Sequence, residues 1–357
     1  MSSRPSGFSY SVAASFVAKN RKHDPRGDVF NFHPADPVMK LRNRRLRAES
    51  GQDAFFVSRL GDTGGVALGV ADGVGGWVES GVDPADFSHA FCAHMAAAAA
   101  AHPPPPAERL SARGLMHRGY DAVSHDASVQ TGGSTATVGL LTPDGGLEVA
   151  NLGDSGFLHL RPCAVHAFSA PQTHGFNTPF QLSVVPRPAA RRMAAFGGGP
   201  LADSPRDAEV TRHALAHGDV VILASDGLWD NLFNQDVLRV VTRVMVAAGA
   251  WRHGAGGEGG DGDGVVADRH LARLTGAGGA VGAGAGAGRP PSTLQAVIAS
   301  DITAAAKAAA ANTKVDGPFA KELKRHYPLE RWQGGKNDDI CVVAAVVLED
   351  LPPAARL

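Results

Sequence analysis

Val220-Val221-Ile222-Leu223-Ala224-Ser225-Asp226-Gly227 is an unbroken apolar run that ends in an acid and a glycine. Such a run reads as a strand buried on both faces, with the carboxylate at its C-terminal end and the glycine freeing the backbone to turn. Val66-Ala67-Leu68-Gly69-Val70-Ala71-Asp72-Gly73 repeats the design, and Val66, Leu68, Val70 and Asp72 share one side of an extended strand. Asp338 and Asp339 instead precede the apolar run Ile340 to Val347, at a strand's start. Antiparallel neighbours set starts beside ends, so Asp72, Asp226 and Asp338 are expected to converge at one edge of a buried sheet.

Carboxylates gathered there would lose hydration and repel one another unless a cation sat between them. Oxygen-only donors point to magnesium or manganese; zinc recruits His or Cys, and no closely spaced Cys/His set is present. Any one Asp-Gly is also an ordinary turn. The three together are what ask for an ion.

The chain has 357 residues, 44% of them apolar, enough for a large core, and we expect one domain with an insertion. Residues 1–49 form a partly basic N-terminal segment that includes a possible first strand; 50–349 form the main domain; 350–357 are a tail. Ser11 to Arg26 admits two readings, a short organellar presequence or the first strand and turn. A net charge of −1 gives no footprint for a nucleic-acid partner or an anionic membrane surface. No apolar run approaches the length of a membrane span, and a monomer is expected. Cys92, Cys163 and Cys341 are far apart and odd in number, which argues against a disulfide framework and for buried thiols.

Phe55 to Ser58 and Val66 to Asp72 bracket a Gly-rich turn and predict a hairpin. Ser134 to Leu141, Leu147 to Leu152 and Gly156 to Arg161 predict an antiparallel meander, the last two joined by Gly153-Asp154-Ser155. Asp83 followed by Pro84 predicts a capped helix with Phe87, Phe91 and Met95 on one stripe. Asn234 and Ser292 are expected to cap two more helices. Between 250 and 291 the composition turns to Gly and Ala, too poor in apolar surface to offset its ordering entropy, and a disordered insertion is expected.

Six stretches, in order, resemble the signatures of the type-2C metal-dependent protein serine/threonine phosphatases: Gly51-Gln52-Asp53-Ala54, Val70-Ala71-Asp72-Gly73-Val74-Gly75-Gly76, Gly132-Gly133-Ser134-Thr135-Ala136, Asn151-Leu152-Gly153-Asp154-Ser155, Ala224-Ser225-Asp226-Gly227-Leu228-Trp229-Asp230 and Lys336-Asn337-Asp338-Asp339-Ile340. Gly75 to Pro84 and Phe176 to Leu182 resemble the mitochondrial and plastid subgroup related to the yeast two-C type seven phosphatase. The resemblance implies an α+β fold, two antiparallel sheets packed face to face with helices outside (αββα). It also implies hydrolysis of phosphoserine and phosphothreonine in proteins by direct attack of a water bridging two Mg2+ or Mn2+ ions. By the same resemblance Asp72 would bridge the ions, Gly73 would offer its carbonyl, and Asp226 and Asp338 would hold one ion. Asp53 would act at the metal through water, and Asp154 would help hold a weaker third ion, unless it is only a turn residue. Arg47 would grip phosphate. The implied compartment is the mitochondrion, with plastid and cytoplasm as alternatives.

Two departures stand out. Val74 takes the place where many relatives carry a histidine that protonates the leaving group, worth on the order of 100- to 10,000-fold; His174 is one substitute. Gln52 stands where glutamate is common.

Other functions fare less well. Gly153-Asp154-Ser155-Gly156 resembles a serine-protease nucleophile segment, but no suitable His and Asp segments precede it. None of the cysteines has the Arg six positions later that a cysteine phosphatase needs. A phosphoprotein-binding scaffold and a small-molecule phosphomonoesterase of the same fold remain as alternatives.

Overall fold

The computed structural model describes residues 7–35, 49–103, 109–186, 203–253, 264–276 and 293–350, with isolated positions 191, 195 and 201. Two antiparallel sheets account for most of the strands. We number their strands β1 (Gly7–Val17), β2 (Val29–Asn31), β3 (Asp53–Arg59), β4 (Val66–Asp72), β5 (Ala136–Leu141), β6 (Gly146–Leu152), β7 (Gly156–Arg161), β8 (Ala164–Phe168), β9 (Glu209–Ala214), β10 (Val220–Ala224) and β11 (Ile340–Asp350). One sheet runs β2-β1-β11-β10-β7-β8 and the other β9-β6-β5-β4-β3.

The continuous apolar runs are explained by burial on both sides. In β10, Val221 and Leu223 face the space between the sheets, while Val220, Ile222 and Ala224 face an outer helical layer. β11 divides in the same way, with Cys341, Val343 and Ala345 inward and Ile340, Val342 and Ala344 outward. The outer layer on this sheet is α4 (Asn234–Ala247) and α5 (Leu294–Ala310), which contribute Val237, Val241, Met245, Ile298 and Ile302. α1 (Pro84–Ala100) and α2 (Ala112–Ser124) cover the second sheet through Phe87, Phe91, Met95, Leu115 and Met116. The result is the expected four-layer α+β sandwich.

As expected, Asp83 caps α1, accepting from the Ala85 amide at 3.1 Å, with Pro84 in the first turn. α4 is capped one residue earlier than expected: Phe233 is the cap, and the Asp236 carboxylate accepts its N–H at 2.9 Å. Thr293 caps α5, and Ser292 lies outside the described residues.

Four expectations need correction. β7 does not continue the meander: β5 and β6 pair in one sheet, whereas β7 pairs with β10 in the other. Gly153-Asp154-Ser155 therefore carries the chain across the sandwich, and Gly153 is required there twice over: its φ is +100°, and a Cβ would meet the Phe180 carbonyl. Second, of the two readings of Ser11 to Arg26 the structure has strand and turn, and the body of the domain starts well before residue 50: β1 pairs with β11 from Gly7↔Asp350 to Val17↔Ile340. Third, the Gly/Ala-rich stretch is not unstructured throughout. Trp251–His253 pairs with Val265–Ala267, and Trp251 and Leu271 are fully buried; 254–263 and 277–292 lie outside the described residues. Fourth, Cys92 and Cys341 are buried thiols but Cys163 is exposed, at a turn with φ +59°.

Candidate metal centre

β3 and β4 pair with Asp53 directly opposite Asp72. Strand alternation puts both acids on the face of Phe55, Val57, Leu68 and Val70, the face that meets the other sheet. That other sheet supplies its own acids at the same edge. β10 and β11 pair with Ala224 opposite Val342, so Asp226, two residues beyond the end of β10, and Asp338, two residues before the start of β11, are neighbours. Asp226 opens a single helical turn, α3 (Asp226–Trp229), rather than ending the strand; Gly227 is required there because a Cβ would collide with the Asp339 carbonyl.

Two contacts tie the sheets together at this edge. Ser225 Oγ donates to Asp53 Oδ2 at 2.6 Å and accepts from the Cys341 amide at 3.0 Å. The Asp339 carboxylate accepts the Gln52 amide at 2.8 Å and the Lys19 amide at 2.7 Å. Asp339, 5% exposed, is thus a clamp on the turn before β3.

Burial pushes the Asp53 and Asp72 carboxyls well above the usual range, and neighbouring carboxylates push them further: Asp339 for Asp53, and Asp53 itself for Asp72. Asp154, on the crossover, is raised to about 7, first by burial and then by Asp226. Asp230, one turn beyond Asp226, is also raised by burial and by Asp226. At Asp226 burial is outweighed by the Lys336 ammonium, which holds the carboxyl below its ordinary value. Lys336 Nζ lies 2.7 Å from Asp226 Oδ2, 2.7 Å from Asp230 Oδ2 and 3.2 Å from Asp338 Oδ2.

The donor set suits a hard divalent cation. It is all oxygen, it is held at the end of an apolar core, and Asp53 Oδ1 is buried without a hydrogen-bond partner among the described residues. Among the described residues no group of three His, Cys, Asp or Glu side chains has the spacing of a finished metal cage; the outer acids are arrayed around the ammonium instead.

A groove of about 580 Å3 opens beside the centre. Asp154 and Asp230 line it on the centre's side, and Phe168, Phe176, Trp229, Phe233 and Phe319 supply apolar wall. The wall on one side is the helix α6 (Pro318–His326). His174 lines this groove too, bonded to Asp203 at 3.0 Å and stacked on Phe180.

The structure therefore brings Asp53, Asp72, Asp226 and Asp338 to one edge, with Asp154 on the adjoining crossover. Gly73 follows Asp72 and bridges to Ser134. Arg47 lies outside the described residues. The Ser155 hydroxyl is buried against Thr135 at 2.7 Å, which removes it as a nucleophile. Ser225 and Lys336 were given no role by sequence reasoning, although both fall inside quoted motifs. The available signal for Lys336 was charge balance, since a lysine two positions before an acid at a crowded acidic edge has an obvious counter-ion role.

Residues 43–253, more than half of the chain, match the family described as protein phosphatase 2C. The mitochondrial protein phosphatase 2C homolog 7 of Saccharomyces cerevisiae is 31% identical over 232 residues, which is 64% of this chain and 64% of that protein. The protein phosphatase PTC7 homolog fig of Drosophila yakuba is 38% identical over 200 residues, 55% of this chain and 58% of the relative. The chain thus spans less than two thirds of the length of these relatives. The X-ray structure of the photosystem II phosphatase PBCP superposes over 94% of this chain and 98% of its own, with a TM-score of 0.60 and 22% identity, so the fold is shared.

Proposed function

The chain belongs to the protein phosphatase 2C family, and on that footing we propose that it removes phosphate from phosphoserine and phosphothreonine in proteins. The observation that carries this reading is the convergence of Asp53 and Asp72 from one sheet with Asp226 and Asp338 from the other, around an orphaned buried carboxylate oxygen. The family is metal-dependent. Asp72, Asp226 and Asp338, with the Gly73 carbonyl, would hold two Mg2+ or Mn2+ ions, with Asp53 acting through water from β3, opposite Asp72. When bound, such ions supply Lewis-acid activation of water and neutralise charge on the phosphoryl oxygens.

The chain's own residues do the rest. Ser225 fixes the Asp53 carboxylate through Oδ2 and leaves Oδ1 free to accept a proton. Asp339 fixes the turn that carries Asp53. The apolar groove beside Asp154 and Asp230 offers the polypeptide part of a substrate a wall to lie against while it excludes water. Val74 holds no proton to donate, and His174 stands in the groove, tied to Asp203. The leaving alkoxide then takes its proton from His174 or from solvent. Arg47 is proposed as the phosphate-gripping arginine. For the compartment we extend to this chain the mitochondrial location carried in the yeast relative's name.

The test is phosphate release from a phosphothreonine peptide with manganese, magnesium or excess chelator, beside the Asp72→Asn variant. Release should require metal and fall at least ~100-fold in the variant. Folded protein that releases nothing with either metal would instead favour a phosphoprotein-binding scaffold.

A further inference from the structure

Lys336 is held in place from its backbone outward. The buried Asn231 side chain accepts the Lys336 amide and donates to the Lys336 carbonyl, both at 2.9 Å, and also donates to the Gly227 carbonyl at 2.9 Å. The two residues before it leave no slack: Gly334 sits at φ +90°, and a Cβ at Gly335 would collide with the Ala309 carbonyl. This lock joins the lysine to α3, the turn that carries Asp226 and Asp230. The side chain, 15% exposed, reaches three carboxylates of a group that also includes Asp154, and it further meets Asn177 Oδ1 at 3.3 Å and the face of the Phe319 ring, 5.1 Å from its centroid.

We propose that the Lys336 ammonium is a resident cation that takes the place of a third divalent ion, so that this chain works with two ions and a tethered positive charge. The inference rests on the phosphatase reading. Its physical content is charge balance: Asp154, Asp226, Asp230 and Asp338 gather more negative charge than a buried edge tolerates, and an ammonium built into the chain offsets it whatever the free metal concentration. Asp154 then belongs to the wall around the ammonium, facing the groove, and holds no ion of its own.

The measurement is the number of Mn2+ ions bound, by calorimetric titration and by metal analysis after gel filtration, with circular dichroism to establish folding. Wild-type protein should bind two, Lys336→Arg two, and Lys336→Gln three. Adding Asp230→Asn to Lys336→Gln should return the count to two. Asp230→Asn alone should leave the count at two, and this serves as the test if Lys336→Gln does not fold. Three ions in the wild type, two in folded Lys336→Gln, or loss of an ion in Asp230→Asn alone would overturn the proposal. No ion bound by wild type would overturn the phosphatase reading itself, a separate outcome.

Discussion

Asp339 shows how a residue can sit inside a family signature and serve the backbone. Its carboxylate satisfies two amides from segments far away in the chain, Lys19 and Gln52, and the neighbouring Gly51 at φ +74° has no room for a side chain because a Cβ would strike that carboxylate. Asp339→Ala strands both donors in a part-buried site and should cost about 2–4 kcal/mol in urea denaturation; a change under ~0.5 kcal/mol would remove the clamp assignment. A second residue-scale prediction concerns acid. The Ser128 hydroxyl, with the Ser128 amide and His94, outweighs burial and holds Asp126 down at about 2. A depressed carboxyl stabilises the fold above its unfolded value near 4, and that contribution is lost as pH falls through about 2. The stability gap between wild type and Ser128→Ala, about 1 kcal/mol at pH 6, should therefore close by pH 2 in pH-dependent thermal melts. A gap independent of pH would assign it to packing instead.

At the scale of elements, the strands bearing acids were legible because each announces itself twice, by an apolar run and by the acid that ends or begins it. Which sheet a strand joins was not legible. The period of two in β7 is the same in either sheet, and Gly153-Asp154-Ser155 has the composition of a tight hairpin turn; only the pairing with β10 reveals a crossover. The first strand was ambiguous for a related reason, since its partner lies at the other end of the chain. The Gly/Ala-rich stretch misled by averaging, because its composition hides Trp251, whose indole is fully buried and donates to the Gly218 carbonyl at 3.0 Å. Trp251→Ala should cost about 3–5 kcal/mol by leaving a cavity against α4, while leaving Mn2+ binding unchanged. Loss of metal binding in the folded variant would show that this hairpin reaches the centre. Lys336 escaped because a side chain's destination depends on its anchor, and the Asn231 lock is invisible along the sequence.

The whole molecule places its acids across a seam. Asp53 and Asp72 belong to one sheet, Asp226 and Asp338 to the other, and Ser225 and Asp339 are the hydrogen-bonded ties between the sheets at that edge. A cation bound to both sides adds its binding free energy to the cohesion of the sheets, about 2.7 kcal/mol at a hundredfold excess over Kd. Saturating Mn2+ should raise the melting temperature by several degrees, and chelator should reverse it. In hydrogen exchange the added protection should concentrate at residues 53–55 and 340–342, where the seam lies. Added protection confined to 53–55 or to 340–342 would mean that the ion binds one sheet alone.

Each helical layer rests on its own sheet: α1 and α2 on one, α4 and α5 on the other. One packed sheet stands between each layer and its own pair of carboxylates, and the spacing between the two pairs is the bite of the centre.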